Sequence, residues 1–129
     1  MNIINPATEE LITQVDADNA ETLALKFKRL QSAQSAWAAR EVEERSAILL
    51  RFVDLLKQNI EPLAAILTAE MGKPLQQSRN EINGASGKAT WLAEHAPTYL
   101  ADELMSVSEQ MTEKIVYEVL GVICNISAW

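Results

Sequence analysis

The chain has 129 residues, a net charge of −7 and 48% apolar residues, enough for one domain with a core of its own and too apolar for disorder. The acidic balance argues against nucleic acid or an anionic membrane surface as partner. One cysteine rules out an internal disulfide and fits a reducing compartment. With no basic-then-apolar leader and no apolar run of about 18 residues, the expected location is cytoplasmic.

Residues 2–15 read as extended. "NII" and "LITQV" are β-rich runs, and Asn5-Pro6 between them initiates a turn, so a hairpin or strand pair is expected. Residues 19–100 read as helical throughout. Asp18 with Glu21 fits a capping box, and Leu23, Phe27, Leu30 and Trp37 then recur at helical spacing. A second helix spans about Val42 to Ile60, with Val42, Leu49, Phe52, Leu56 and Ile60 on one face. Pro62 disfavours a helical Glu61 and predicts a break there, with Pro62 opening a third helix that carries Leu63, Ile66 and Leu67. Gly72 is placed to cap that helix and Pro74 to start the next. The fourth carries Leu75, Ile82, Ala89, Leu92 and Ala96 and is expected to end near Pro97.

Strand patterns return over 104–126. Met105 and Val107 alternate with serines, and Ile115, Tyr117 and Val119 share one face of "KIVYEVL". The run from Gly121 to Ile126 is almost continuously apolar, the pattern of a strand buried on both faces in a parallel sheet. Such a strand is half of a βαβ unit.

No complete set of reacting groups is visible. Cys124 is the only thiol and His95 the only imidazole, and nothing in the sequence brings them together. Inside an apolar strand Cys124 reads as a small hydrophobe; His95, near a helix end, reads as a partner for helix carbonyls. "GASGKAT", 84–90, is not a phosphate loop, because its glycines are three apart, Ala89 follows Lys88, and it lies within a helix. It reads as a small-residue face that admits a close neighbour. Glu41, Glu43 and Glu44 suit a helix N-terminus. There is no metal-ligand cluster, no Gly-x-Gly-x-x-Gly and no triad.

Four segments, in this order, resemble the N-terminal part of the NAD(P)-dependent aldehyde dehydrogenase superfamily: "INPATEE" at 4–10, "EMGKPLQQSRNEI" at 70–82, "WLAEHAP" at 91–97 and "EVLGVICNISAW" at 118–129. The short start and "EMGKP" look most like succinate-semialdehyde dehydrogenases. The resemblance implies an α/β parent fold, this chain being mostly α-helical with an N-terminal strand pair and C-terminal strands. It also implies three parts. Residues 1–103 would be N-terminal strands plus the helical part of the cofactor-binding domain, 104–120 an oligomerisation-type strand pair, and 121–129 the first strand of the cofactor-binding sheet, cut after Trp129. Two departures stand out: Ala128 replaces the usual Pro, and Glu9 replaces a turn glycine.

In the family a thiolate adds to the aldehyde, amide donors hold the oxyanion, hydride passes to NAD or NADP, and a Glu activates water to release the acid. The oxyanion Asn, the nucleophilic Cys and the base Glu match no position here, and Cys124 is not at the family's catalytic position. What the resemblance implies for this chain is one edge of the cofactor pocket, Ile126, Ser127 and Trp129, and a helix lining the substrate tunnel with Gly84 and Lys88. By that reading the chain alone is inactive and holds no cofactor tightly. Its partners are further copies of itself or the remainder of the parent enzyme. The alternative is a non-catalytic oligomerising or interaction module built from the same elements. An in-frame continuation of the coding sequence, reading Asn-aromatic-Pro with a later Cys and Glu, separates the two.

Overall fold

The computed structural model describes residues 1–127. Its order is β1 (Asn2–Ile4), β2 (Leu11–Gln14), α1 (Ala20–Ala38), α2 (Val42–Gln58), α3 (Ile60–Met71), α4 (Leu75–Tyr99), β3 (Glu103–Val107) and β4 (Thr112–Ile115). Two compact units are present: Met1–Ala17 with Arg45–His95, and Asp18–Glu44 with the chain from Ala96 on. No helix among the described residues is long and apolar enough to cross a membrane.

In the first unit β1 and β2 form an antiparallel hairpin, Asn2 opposite Gln14 and Ile3 opposite Thr13, with a register shift after Ile3. Its loop is organised by Asn5, whose side-chain oxygen accepts from the N–H groups of Ala7 (2.9 Å) and Thr8 (3.3 Å). The Glu9 N–H donates to the Asn5 carbonyl at 2.8 Å, and Glu9 sits at φ 63°. The turn therefore keeps a left-handed residue although a glycine is absent.

The core of this unit comes from three helices. Val53 of α2, Ala64 of α3 and Ser78, Ile82, Ser86 and Ala93 of α4 are buried. On α2 the inward residue is Val53, not Phe52, which is 52% exposed. Val53 continues the Leu49–Val53–Leu56–Ile60 progression of four, three and four, the spacing of one helical stripe. On α4 only Ile82 of the expected apolar set is buried, while Leu92 is exposed. The buried stripe runs 78–82–86–93 and is mostly Ser and Ala. Its serines read as polar in the sequence but are small. Ser78 shares a 2.8 Å hydrogen bond with Thr68 of α3, so the hydroxyl is satisfied inside the contact. Arg79 reaches back to Glu61 with a two-pronged pair at 2.9 and 2.7 Å.

The helix ends partly follow the sequence rules. Gly72 caps α3 at φ 68° as expected, its N–H bonding the Thr68 carbonyl at 2.9 Å. A Cβ there would lie 2.9 Å from Pro6 Cγ, so the hairpin loop abuts the α3–α4 corner. Pro74 precedes α4 and its carbonyl accepts from Gln77. The break expected at Glu61 falls at Asn59 instead. Pro62 takes the third helical position, where its missing N–H has no intrahelical partner to lose. Helix α4 likewise does not stop at Pro97 but runs through it to Tyr99.

In the second unit α1 is capped by Asn19, not Asp18. The Asn19 side chain accepts from the Thr22 N–H and the Thr22 hydroxyl accepts from the Asn19 N–H, both at 2.9 Å. Thr22 thus fills the box position assigned to Glu21. Asp18 instead receives the Thr22 hydroxyl and the Lys26 ammonium, the latter at 2.6 Å. These two hydrogen bonds, with the Lys26 charge, hold its carboxyl below the usual range. Helix α1 buries none of its residues, and its expected apolar face of Leu23, Phe27, Leu30 and Trp37 is exposed.

Strands β3 and β4 pair antiparallel, Glu103 opposite Ile115 and Val107 opposite Thr112. They are tied by Lys114–Asp102 and Tyr117–Glu103, each at 2.5 Å. The expected strand over 112–120 stops at Ile115. Residues 121–127 form no strand, and Ile123 and Ile126 are 69% and 91% exposed. A β conformation is held by ladder hydrogen bonds, and no described strand pairs with this run. Cys124 is consequently exposed rather than a core residue.

Candidate functional site

The sequence-derived site residues fall into two groups. Gly84 and Lys88, one turn apart on α4, belong to the first unit; Ile126 and Ser127 belong to the second. Trp129 lies outside the described residues.

On α4 the buried stripe holds Ser86, while Gly84 and Lys88 are exposed. Nothing lies within 4 Å of a Cβ built on Gly84 or Gly87. The close-approach face expected of "GASGKAT" is therefore supplied by Ser78, Ser86 and Ala93, and the two glycines leave open surface beside Lys88. Among the described residues, the buried side-chain atoms Arg45 Nε and Ser86 Oγ have no protein partner. At the far end of the same helix His95 stacks on Trp91, ring centroids 4.3 Å apart and 17° from parallel. Its Nδ1 lies 2.8 Å from the Trp91 carbonyl oxygen. A proton on Nδ1 satisfies that carbonyl, the structural role expected for it.

In the second unit Gly121, at φ 97°, turns the chain so that Val122 and Ile123 border α1. Together with Leu30, Ala33, Gln34 and Trp37 they line an open groove of about 350 Å³. The sequence did not indicate this groove, because it takes one helix face and a distant irregular segment to make it. Its walls are apolar except for Gln34, suiting it to an apolar side chain or ring. Beyond the groove Ile126 and Ser127 are exposed, the Ser127 hydroxyl donating to the Asn125 side chain at 3.2 Å.

For thiol chemistry, Cys124 is an exposed free cysteine. No group of three or more His, Cys, Asp or Glu among the described residues is arranged to hold a metal.

The profile of the Aldehyde dehydrogenase family matches residues 1–129. A probable succinate-semialdehyde dehydrogenase (NADP(+)) of Sinorhizobium fredii is 30% identical over 128 residues, 99% of this chain and 26% of that protein. The succinate semialdehyde dehydrogenase of Acinetobacter baylyi is 32% identical over 127 residues, 98% of this chain and 26% of that one. Among solved structures, the succinate-semialdehyde dehydrogenase of Burkholderia pseudomallei superimposes with a TM-score of 0.78 at 33% identity, over 85% of this chain and 23% of that chain. An aldehyde dehydrogenase of Brucella melitensis biovar abortus gives 0.78 at 30%, over 84% and 22%. The chain thus spans about a quarter of the length of its curated relatives. Matched along its whole length by the family profile and sharing the fold of the solved members, this chain belongs to the aldehyde dehydrogenase family.

Proposed function

We propose that the chain contributes the helical part and one cofactor edge of an NAD(P)-dependent dehydrogenase that oxidises a semialdehyde, succinate semialdehyde first among the candidates, to the acid. The observation that carries this reading is the full-length family match together with relatives that bear that name. Bound NAD or NADP would accept the hydride. Ile126 and Ser127, with Trp129, would border the cofactor, and Lys88, exposed beside the open surface at Gly84, would meet the substrate's distal carboxylate. The 129 residues alone do not catalyse the reaction, because Cys124 is not at the position of the family's nucleophile.

The test is NADH or NADPH formation by the 129-residue chain with succinate semialdehyde and other aldehydes. No turnover is expected. Turnover that Cys124→Ala abolishes would overturn this reading of the chain and make Cys124 a nucleophile.

A further inference from the structure

We propose that Asn80 is a specificity-determining residue, a second contact for the substrate's distal carboxylate, which sits over Gly84 between the Asn80 amide and the Lys88 ammonium. The inference rests on the dehydrogenase reading above and adds a residue to the same face of α4. Gln76, Asn80, Gly84 and Lys88 recur every four residues along that helix and are all exposed, so they form one surface stripe. Helical side chains lean toward the helix N-terminus, and each covers the turn before its own Cα. A side chain at 84 would cover the turn between Asn80 and Lys88, but Gly84 has none, and nothing lies within 4 Å of a Cβ built there. The bare turn is bounded by an amide on one side and an ammonium on the other.

A directed chain of hydrogen bonds decides what the amide presents. Arg79 is fixed by its two-pronged pair with Glu61, and its Nη1 faces Gln76 Oε1 at 3.5 Å. Arginine carries donors only, so Gln76 must turn its oxygen toward Arg79 and its NH2 away. That NH2 donates to Asn80 Oδ1 at 3.0 Å. With its oxygen engaged, Asn80 offers its own NH2, a donor, which suits a carboxylate oxygen and not an ammonium or an alkyl chain. Lys88 has uncharged residues one turn away on both sides, Gly84, Ala85, Trp91 and Leu92, and among the described residues it pairs with no carboxylate. Two kinds of donor therefore border one open turn, and the stripe favours carboxylate-bearing aldehydes over alkyl aldehydes.

Nuclear magnetic resonance of the 129-residue chain tests this without catalysis, with butyrate as the carboxylate probe and butyramide as its uncharged control. Butyrate should shift the Gly84 N–H and the Asn80 side-chain NH2 signals saturably, and butyramide should not. Asn80→Ala should weaken butyrate binding roughly threefold to tenfold. Gly84→Leu, which fills the bare turn with a better helix former, should abolish the response while helical circular dichroism is kept. The absence of a saturable shift, equal shifts with butyramide, or a Gly84→Leu chain that still responds would each overturn the proposal. Wild-type affinity in Asn80→Ala, with loss in Lys88→Ala, would overturn it too and leave the role of Lys88 standing. The dehydrogenase reading itself fails or stands separately, on NADH or NADPH formation.

Discussion

Two residues at one corner illustrate how backbone conformation, rather than side-chain chemistry, decides what is tolerated. Glu9 occupies a left-handed φ that costs a residue with a Cβ about 1–2 kcal/mol. Glu9→Gly removes that strain at the expense of about 0.5–1 kcal/mol of chain entropy, so a net gain near 0.5–1 kcal/mol is expected in chemical denaturation. Gly72→Ala should do the opposite and lose more than about 1 kcal/mol, because the added Cβ meets both a positive φ and Pro6 Cγ. A second residue-level consequence concerns pH. The hydrogen bonds from Arg79, and then its charge, hold the Glu61 carboxyl below its ordinary value. A lowered folded pKa means that the contribution is fully present above the unfolded value, about pH 4.3. It disappears as pH falls through the folded value. Urea midpoints measured from pH 7 to pH 3 should show a smaller acid loss for Glu61→Gln than for the wild type. Gly72 was legible in the sequence because glycine followed by proline has one common use at a helix end. The α4 serines were not, because apolar periodicity cannot see that a hydroxyl paired with Thr68 packs as a small group.

At the scale of elements, all four helices were legible, since each carries apolar residues at helical spacing between recognisable breakers. Their ends moved where local chemistry outweighed the rule. Asn19 accepts the Thr22 N–H and so displaces Asp18 as cap. Pro62 is accommodated in the first turn, where N–H groups have no intrahelical acceptor, whereas Pro97 near the other end of α4 forgoes one bond to the preceding turn and the helix stops two residues later. Helix α1 buries nothing, so its persistence depends on its ends more than on packing. Asn19→Ala should therefore lower stability by about 1 kcal/mol, read as reduced ellipticity at 222 nm on warming. Asp18→Ala should cost less, because Asp18 caps no backbone donor. Over the C-terminal run the sequence pattern and the structure differ for a related reason. Apolar content over 121–126 signals a strand suited to a sheet interior, yet a strand exists only where another pairs with it. The same residues instead border α1 and form the groove with Trp37.

At the scale of the molecule, the apolar face of α1 and the side chains of Ile123 and Ile126 are exposed, and β4 is paired along one edge only. Leaving large apolar side chains in water is unfavourable by roughly 1.5–3 kcal/mol each relative to burial. The family was legible from four short segments in order. The site was legible only as positions borrowed from that resemblance, because no local spacing pattern in the sequence marks Gly84, Lys88, Ile126 or Ser127. These residues are proposed to do the work of the matching quarter of a semialdehyde dehydrogenase. The most direct test replaces the matching segment of the Acinetobacter baylyi enzyme with this chain and measures NADH and NADPH formation from succinate semialdehyde. A folded chimera is expected that turns over and loses turnover with Lys88→Ala more at low than at saturating substrate. A chimera that is folded by circular dichroism and yet neither binds NAD or NADP nor oxidises the semialdehyde would contradict it.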